Sequence, residues 1–228
     1  MIRYDDTGYL AIINKHMTEI NKELRMPSLS DLDAGLRGKR LLGRILGVHG
    51  PSTPRGLQIA DGYVRLVEKT IIEYESARRE MLSFMADGVA NSYFQAQDHF
   101  ETSLQALHRA IIYLDQLRRL GFSRADGTPF VPRPHDFEVL KAGIRSRVRG
   151  MRDACEHLDE DIIKAKIPED AEVAVHLGWE CVKLADKEIF YHEISRWIIQ
   201  LHQFALLLSR VELVVSSPGT DNSKEKDA

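Results

Sequence analysis

Hydrophobic residues recur every three or four positions along most of the chain, which is the spacing of an amphipathic α-helix. In residues 136–165 the apolar positions alternate steps of four and three, as in a helix seam packed against neighbouring helices. Asn91 or Ser92 is expected to cap the start of one helix. The segments predicted to be helical are 9–26, part of 28–46, 58–85, 92–120, 136–165 and 193–214.

The period changes in residues 172–192, which are rich in β-branched and aromatic side chains. Residues 184–188 can turn the chain there, so a small β-hairpin is expected before the last helix. The predicted fold class is therefore all-α: an up-and-down helical bundle with N-terminal helical additions and this hairpin. We divide the chain into an N-terminal helical extension (1–54), the bundle (55–214) and a disordered tail (215–228).

The composition excludes several classes of protein. The net charge is −3, so any contact with nucleic acid depends on a local basic patch. Cys155 and Cys181 are too few for a disulfide framework or a cysteine-based zinc site. No segment resembles a signal peptide or a membrane-spanning helix. We therefore expect a cytoplasmic protein without membrane association.

Local motifs for metal and nucleotide chemistry are missing from the sequence. No histidine has a glutamate three residues before it, and there is no His-Glu-x-x-His, phosphate-binding glycine loop or Gly-x-Ser-x-Gly. His99 and His108 are nine residues apart on one predicted helix, which does not suit two ligands of one metal. His202 lies in an apolar helix and is expected in the core. We predict no metal and no cofactor.

The residues most suited to chemistry lie in the stretch RGMRDACEHLDED, residues 149–161. At 100° per residue, its apolar seam faces inward, and Arg149 and Asp153 point the opposite way. Arg152 and His157 lie at either edge of this polar face, about 140° apart. The stretch is either a solvated helix surface or the catalytic strip of an enzyme.

Basic residues fill the first half of the 136–165 helix and acidic residues the second half, which opposes the helix macrodipole. One compensation is local pairing between residues four apart, Arg149 with Asp153 and Arg152 with Glu156. Another is an antiparallel second copy, whose acidic half would face the basic half across a two-fold axis. The second arrangement predicts a homodimer through this helix, with Arg152 and His157 of both chains near the interface.

Arg152, Asp153 and His157 form the pattern Arg-Asp-x-x-x-His in the penultimate long helix, and this resembles the signature of the HEPN superfamily. Members of that superfamily are helical bundles that usually dimerise. Many are metal-independent endoribonucleases of toxin–antitoxin and phage-defence systems. Asp153 departs from the family pattern, in which Asn is common. The resemblance covers about residues 58–212 and leaves the region before about residue 55 unexplained.

The resemblance implies cleavage in which RNA supplies its own nucleophile, the 2′-hydroxyl. His157 would act as the general base or acid, since imidazole titrates near neutral pH. Arg152 would bind the phosphate and stabilise charge in the transition state, while Asp153 would orient Arg152 or His157. Arg145 and Arg149 would contact the RNA backbone, unless they belong to an ordinary solvated face.

Two other functions fit the same sequence. One is a non-catalytic helical dimer that binds a nucleotide or a cognate protein partner, in which His157 would be buried or paired with an acid. The other is a helical enzyme acting on a small molecule, with the Pro- and Gly-rich connection 122–136 as a lid. Phe130, His135 and Phe137 would otherwise be packing residues. The position of the largest pocket distinguishes these functions.

Overall fold

The structure is a computed structural model, and it describes residues 23–32, 35–45, 51–124, 126–164, 175–184, 186–208 and 214–215. Within these ranges the chain is mostly helical, as its hydrophobic period predicts. The helices are α1 (Leu36–Ile45), α2 (Pro54–Asp87), α3 (Ala90–Arg119), α4 (Ala142–Ile163) and α5 (Tyr191–Leu207). None of these described helices combines the length and apolar character required to traverse a bilayer. The predicted helix at 9–26 lies almost wholly outside the described residues, as does the predicted tail beyond residue 215.

The core is built on α2 and α3, which run antiparallel. The hydroxyl of Ser103 on α3 donates to the carbonyl of Thr70 on α2 at 3.0 Å, deep inside the interface. Tyr63 of α2 is fully buried and donates its hydroxyl to the carbonyl of Leu201 at 2.6 Å, which links α2 to α5. Ile71 is buried here. These contacts determine which face of α3 packs against α2, and α4 packs against a different face of α3.

α4 carries the 149–161 strip and packs against both α3 and α5. Its residues Val148 and Met151 are fully buried. The guanidinium of Arg147 makes two hydrogen bonds with the carboxylate of Glu193, at 2.7 and 2.8 Å, and lies 5.8 Å from the ring centroid of Trp197. Because these contacts tie one edge of α4 to the first turn of α5, they set the direction in which the strip faces.

A small antiparallel sheet precedes α5. Its β3–β4 turn falls within the predicted residues 184–188, so the hairpin is confirmed, and one more strand joins it. The fold is therefore mostly helical with a small sheet. Strand residues such as Val182 and Ile189 are buried in the same core as the helices, so the sheet is part of that fold. The strands are β1 (Phe122–Ser123), β2 (His176–Leu177), β3 (Cys181–Leu184), β4 (Lys187–Phe190) and β5 (Val214–Val215), with sheet order β2-β3-β4 and a separate β1-β5 pair.

α1 is fastened to α2 by charged side chains. Arg40 is only 3% exposed, and its Nε lies 3.0 Å from Oδ1 of Asp61. Its Nη1 donates to the carbonyl of Leu208 at 2.9 Å. Nε of Arg37 lies 2.9 Å from the largely buried carboxylate of Glu68. The apolar side chains on α1 that face solvent are Leu41, Leu42 and Ile45.

The start of α3 differs from the prediction. α3 begins at Ala90, and its N-cap is Val89, so neither Asn91 nor Ser92 caps it. The carboxylate of Asp87 instead accepts a hydrogen bond from the amide of Val89 at 2.8 Å. Because of this local turn between α2 and α3, α3 begins earlier than the positions of Asn91 and Ser92 predicted.

The start of α4 also differs, because it lies later than the predicted Asp136. Residues Glu138–Leu140 form a short 3-10 turn in which Val139 and Leu140 are buried. The amide of Val139 donates to the side chain of Gln200 on α5 at 3.2 Å. Burial of this turn against the core separates it from the regular helix, which begins at Ala142.

Candidate functional site

Arg152 lies at the edge of α4 that faces α3, with 21% of its side chain exposed. Its Nη2 is 2.8 Å from Oδ1 of Asp153, and its Nη1 bonds to the carboxylate of Glu156. Its Nε is buried and bonds to no described residue. The predicted pair between Arg152 and Glu156 is therefore present, and two carboxylates balance much of the guanidinium charge.

The other two cations predicted to bind RNA are also paired within the chain. Nε of Arg149 lies 3.3 Å from Oδ2 of Asp153, which is the second of the predicted local pairs. Nη1 of Arg145 lies 3.5 Å from Oδ2 of Asp115, a carboxylate of α3 that is almost fully buried. The side chain of Arg149 is nevertheless 70% exposed, so its charge still faces solvent.

His157 lies on the exposed face of α4. No described residue forms a hydrogen bond or an ion pair with its imidazole. It follows Arg152 by five residues, so helix geometry separates their directions by about 140°. Arg152 turns towards α3, whereas His157 faces solvent, so a single chain does not bring the predicted catalytic pair together.

An open depression lies beside Arg152, between α3 and α4. It has a volume of about 150 Å³. His157 is not part of its wall. The guanidinium of Arg109 is exposed there and bonds to no residue in the described ranges. The lining residues are Gln105, His108, Arg109 and Ile112 of α3 with Arg152 and Glu156 of α4.

The imidazole of His108 is part of the wall of this depression. Burial lowers its pKa from the ordinary histidine value, and the positive charges of Arg152 and Arg149 lower it further. The carboxylates of Asp153 and Glu156 offset part of this effect. These effects favour the neutral form of His108, which can accept a hydrogen bond or a proton.

Cys155 lies in the same α3–α4 interface, towards its acidic end. Burial raises the pKa of this thiol to about 12, and the nearby carboxylate of Glu101 contributes in the same direction. Burial and the charge of Asp98 raise the pKa of Glu101 as well. Cys155 therefore remains a thiol at neutral pH and is not an activated nucleophile.

The remaining histidines of the described chain show no metal-binding arrangement. Nowhere in those residues do three His, Cys, Asp or Glu side chains meet closely enough to hold a metal ion. Nδ1 of His99 lies 2.7 Å from the carboxylate of Glu73 on α2. His202 is buried in α5, as its apolar helix predicts, and burial lowers its pKa.

The connection 122–136, for which one alternative was a lid, contributes residues that pack in the core. Phe130 is 1% exposed, and its ring centroid lies 5.7 Å from that of Phe204 on α5. The ring of Phe137 lies 4.7 Å from the same side chain. His135 differs from the prediction, because it is exposed beside Asp136 and does not pack. The two phenylalanines belong to the core, and the depression beside Arg152 is formed by other elements.

Comparison of the chain with protein-family models, with curated proteins and with solved structures gives no match. The resemblance to the HEPN superfamily therefore depends on the motif of Arg152, Asp153 and His157 and on the order of the helices.

The sequence pattern did not single out His108 as a site residue. Glu101, Gln105, His108 and Ile112 follow steps of four, three and four, so they share one face of α3. That stripe was the available signal. The stripe indicates a site only once α4, which carries the 149–161 strip, is known to pack along it. Which helices pack together is decided by the tertiary structure and cannot be read from residue spacing.

Proposed function

We propose that the protein is a HEPN-like helical bundle that cleaves RNA without a metal ion, as a cytoplasmic homodimer of a defence or toxin–antitoxin type. The observation that carries the proposal is the exposure of the His157 imidazole on the same helix as Arg152, with no partner among the described side chains. A histidine retained only for packing would be buried or paired with an acid, whereas His157 is exposed and pairs with no acid among the residues that the structure describes. A free imidazole is available as a general acid or base.

The proposed reaction uses the imidazole of His157 and the guanidinium of Arg152. His157 takes the proton of the ribose 2′-hydroxyl, whose oxygen attacks the adjacent phosphorus. The bond from phosphorus to the 5′-oxygen breaks, the leaving oxygen takes a proton from water, and His157 returns its proton to the solvent. The products are a 2′,3′-cyclic phosphate and a 5′-hydroxyl end. Arg152 stabilises the charge on the phosphate. Asp153 positions Arg152, to which it is bonded.

A second copy of the chain is part of this proposal, because Arg152 and His157 diverge within one chain. Antiparallel contact between two α4 helices would bring the His157 of one copy towards the Arg152 side of the other. It would also place the exposed Arg149 of each copy near the exposed Glu160 of its partner. This arrangement accounts for a charge order that opposes the macrodipole.

The proposal is tested by incubating purified protein with single-stranded RNA in the presence of a chelator. We expect cleavage by the wild type, and a loss of at least about 100-fold in both His157→Ala and Arg152→Ala, the scale of general acid–base catalysis. His135→Ala is the matched control. His135 is an exposed histidine like His157, and it lies beside Asp136, outside the 149–161 strip. Cleavage that survives in His157→Ala, with folding unchanged, would contradict the proposal.

A non-catalytic RNA- or nucleotide-binding dimer is the second candidate, and the pairing of Arg152 favours it. Both terminal nitrogens of that guanidinium already contact carboxylates, so the cation is less available to a transition state. This candidate predicts no cleavage by any variant. It also predicts that labelled RNA binds the wild type more tightly than Arg149→Ala, and that added salt weakens the binding.

A further inference from the structure

The depression between α3 and α4 contains two groups that the proposed cleavage does not use, His108 and Arg109. Arg109 is exposed at its rim and bonds to no described residue. His108 is half-buried in its wall. The groups of the depression are therefore the exposed guanidinium of Arg109, the imidazole of His108 and the guanidinium of Arg152, which Asp153 and Glu156 partly engage.

The charges around the depression leave it positive. Arg109 and Arg152 contribute two positive charges to the lining, and Glu156 contributes one negative charge. Just outside, Arg149 adds a third positive charge, and Asp153, which contacts both Arg149 and Arg152, adds a second negative charge. A chain with a net charge of −3 thus presents a local cationic site, and such a site attracts anions.

We propose that this depression binds a phosphate group through the guanidinium of Arg109 and the free N–H groups of Arg152, with His108 as the hydrogen-bonding partner between them. Asp153 and Glu156 each contact one terminal nitrogen of Arg152, and its Nε is buried, so the second N–H of each terminal nitrogen remains for a ligand. Arg109 can add a planar fork of donors that suits phosphate oxygens. Gln105 and Ile112 line the remainder and offer one amide and one apolar surface.

Protonation of His108 accompanies anion binding in this proposal. The groups that face His108 are Arg149, Arg152, Asp153 and Glu156 of α4, together with Arg109 and Gln105 of its own helix. An anion placed between Arg109 and Arg152 offsets the positive charges that hold His108 neutral, so it favours the imidazolium form. Glu156 opposes the anion, because its carboxylate shares the same wall.

Both a free nucleotide and an RNA backbone carry the phosphate that this site would bind. The inference shares Arg152 with the proposed cleavage but does not require cleavage, because binding and chemistry are measured separately. Adenosine 5′-monophosphate and a short single-stranded RNA serve as the two probes. Tighter binding of the nucleotide assigns the site to small ligands, and tighter binding of the RNA assigns it to a chain that runs along the groove.

The test uses NMR titrations of the histidine ring protons and binding isotherms for sulfate and both probes. Sulfate keeps the same charge across the pH range, so any pH dependence of its binding comes from groups of the protein. We expect sulfate to raise the pKa of His108 and to leave the ring-proton resonances of His157 in place. Arg109→Ala should weaken binding by about tenfold, as loss of a charge-assisted hydrogen bond does. Glu156→Gln should strengthen it.

Arg65→Ala is the control, since Arg65 is an exposed arginine on α2 that is not part of the depression. The proposal is overturned if Arg109→Ala and Arg65→Ala weaken binding equally, because general charge would then explain the effect. It is also overturned if sulfate shifts His157 and leaves His108 unchanged. Neither result depends on RNA cleavage, so failure here is distinct from failure of the proposed function.

Discussion

Asp115 is a buried carboxylate in the α3–α4 interface, and it pairs with arginines of both helices. Its carboxylate is 3% exposed and receives Arg118 and Arg119 of its own helix as well as Arg145 of α4. Burial alone would raise its pKa, but the hydrogen bond from Arg118 and the charge of Arg145 lower it overall. Because the ionised form is favoured in the folded state, Asp115 contributes to stability only while it is charged.

Asp115→Asn should lower the free energy of unfolding at pH 7 by about 2–3 kcal/mol, since it leaves arginines without their buried partner. The lowered pKa means that this contribution is complete above the unfolded aspartate value of about 4 and is lost as pH falls through the folded value. Urea unfolding should therefore show a difference from wild type that shrinks towards acid pH. Asp98→Asn on the exposed side of α3 should change stability little, and a pH-independent loss in Asp115→Asn would contradict the account.

Residue spacing predicted only some of these contacts. The pairs of Arg149 with Asp153 and Arg152 with Glu156 were predictable, because they depend on the geometry of one helix. The pair of Arg145 with Asp115 was not, because it depends on how two helices pack. The same limit explains why the sequence emphasised His157 and missed His108, whose importance comes from the helix opposite it.

At the scale of elements, hydrophobic period predicted the helices, and turn composition predicted the β-hairpin. Both signals are local, and the exact helix starts at Ala90 and Ala142 were missed because a local turn and a buried 3-10 segment decide them. The packing of α1 was not predictable either. Its anchor is the buried Arg40, a residue type that sequence patterns normally place on the surface.

Arg40→Leu should release α1 while α2 and α3 keep their structure. The change removes the ion pair with Asp61 and the hydrogen bond to the Leu208 carbonyl. We expect the amides of α1 to lose about 2 kcal/mol of protection, roughly 30-fold in hydrogen exchange. Arg44→Leu is the control, because Arg44 contacts the same aspartate from a half-exposed position. Equal loss in both variants, or loss throughout α2, would contradict this role for Arg40.

At the scale of the whole molecule, the exposed face of α4 is the proposed surface for a second copy. Arg149 lies towards its basic end and Glu160 towards its acidic end, and both are exposed. An antiparallel pair of such helices matches opposite charges twice.

Arg149→Glu should weaken the dimer by about tenfold, and the charge-swapped variant with both Arg149→Glu and Glu160→Arg should recover it. Sedimentation equilibrium measures the dissociation constant, which should also rise with salt because the contacts are exposed. A protein that stays monomeric at all concentrations would contradict the proposed dimer. A dimer that Arg149→Glu leaves unchanged would use another face.

If the 149–161 strip cleaves RNA through the 2′-hydroxyl, as we propose, cleavage requires a ribose substrate and the imidazole of His157. An RNA oligonucleotide and its 2′-deoxy counterpart are incubated with the wild type and with His157→Ala in a chelator, and the product ends are identified. The account predicts that the wild type cuts only the RNA and leaves 2′,3′-cyclic phosphate ends, and that His157→Ala cuts neither. Cleavage of both oligonucleotides, or of RNA by His157→Ala, would contradict it.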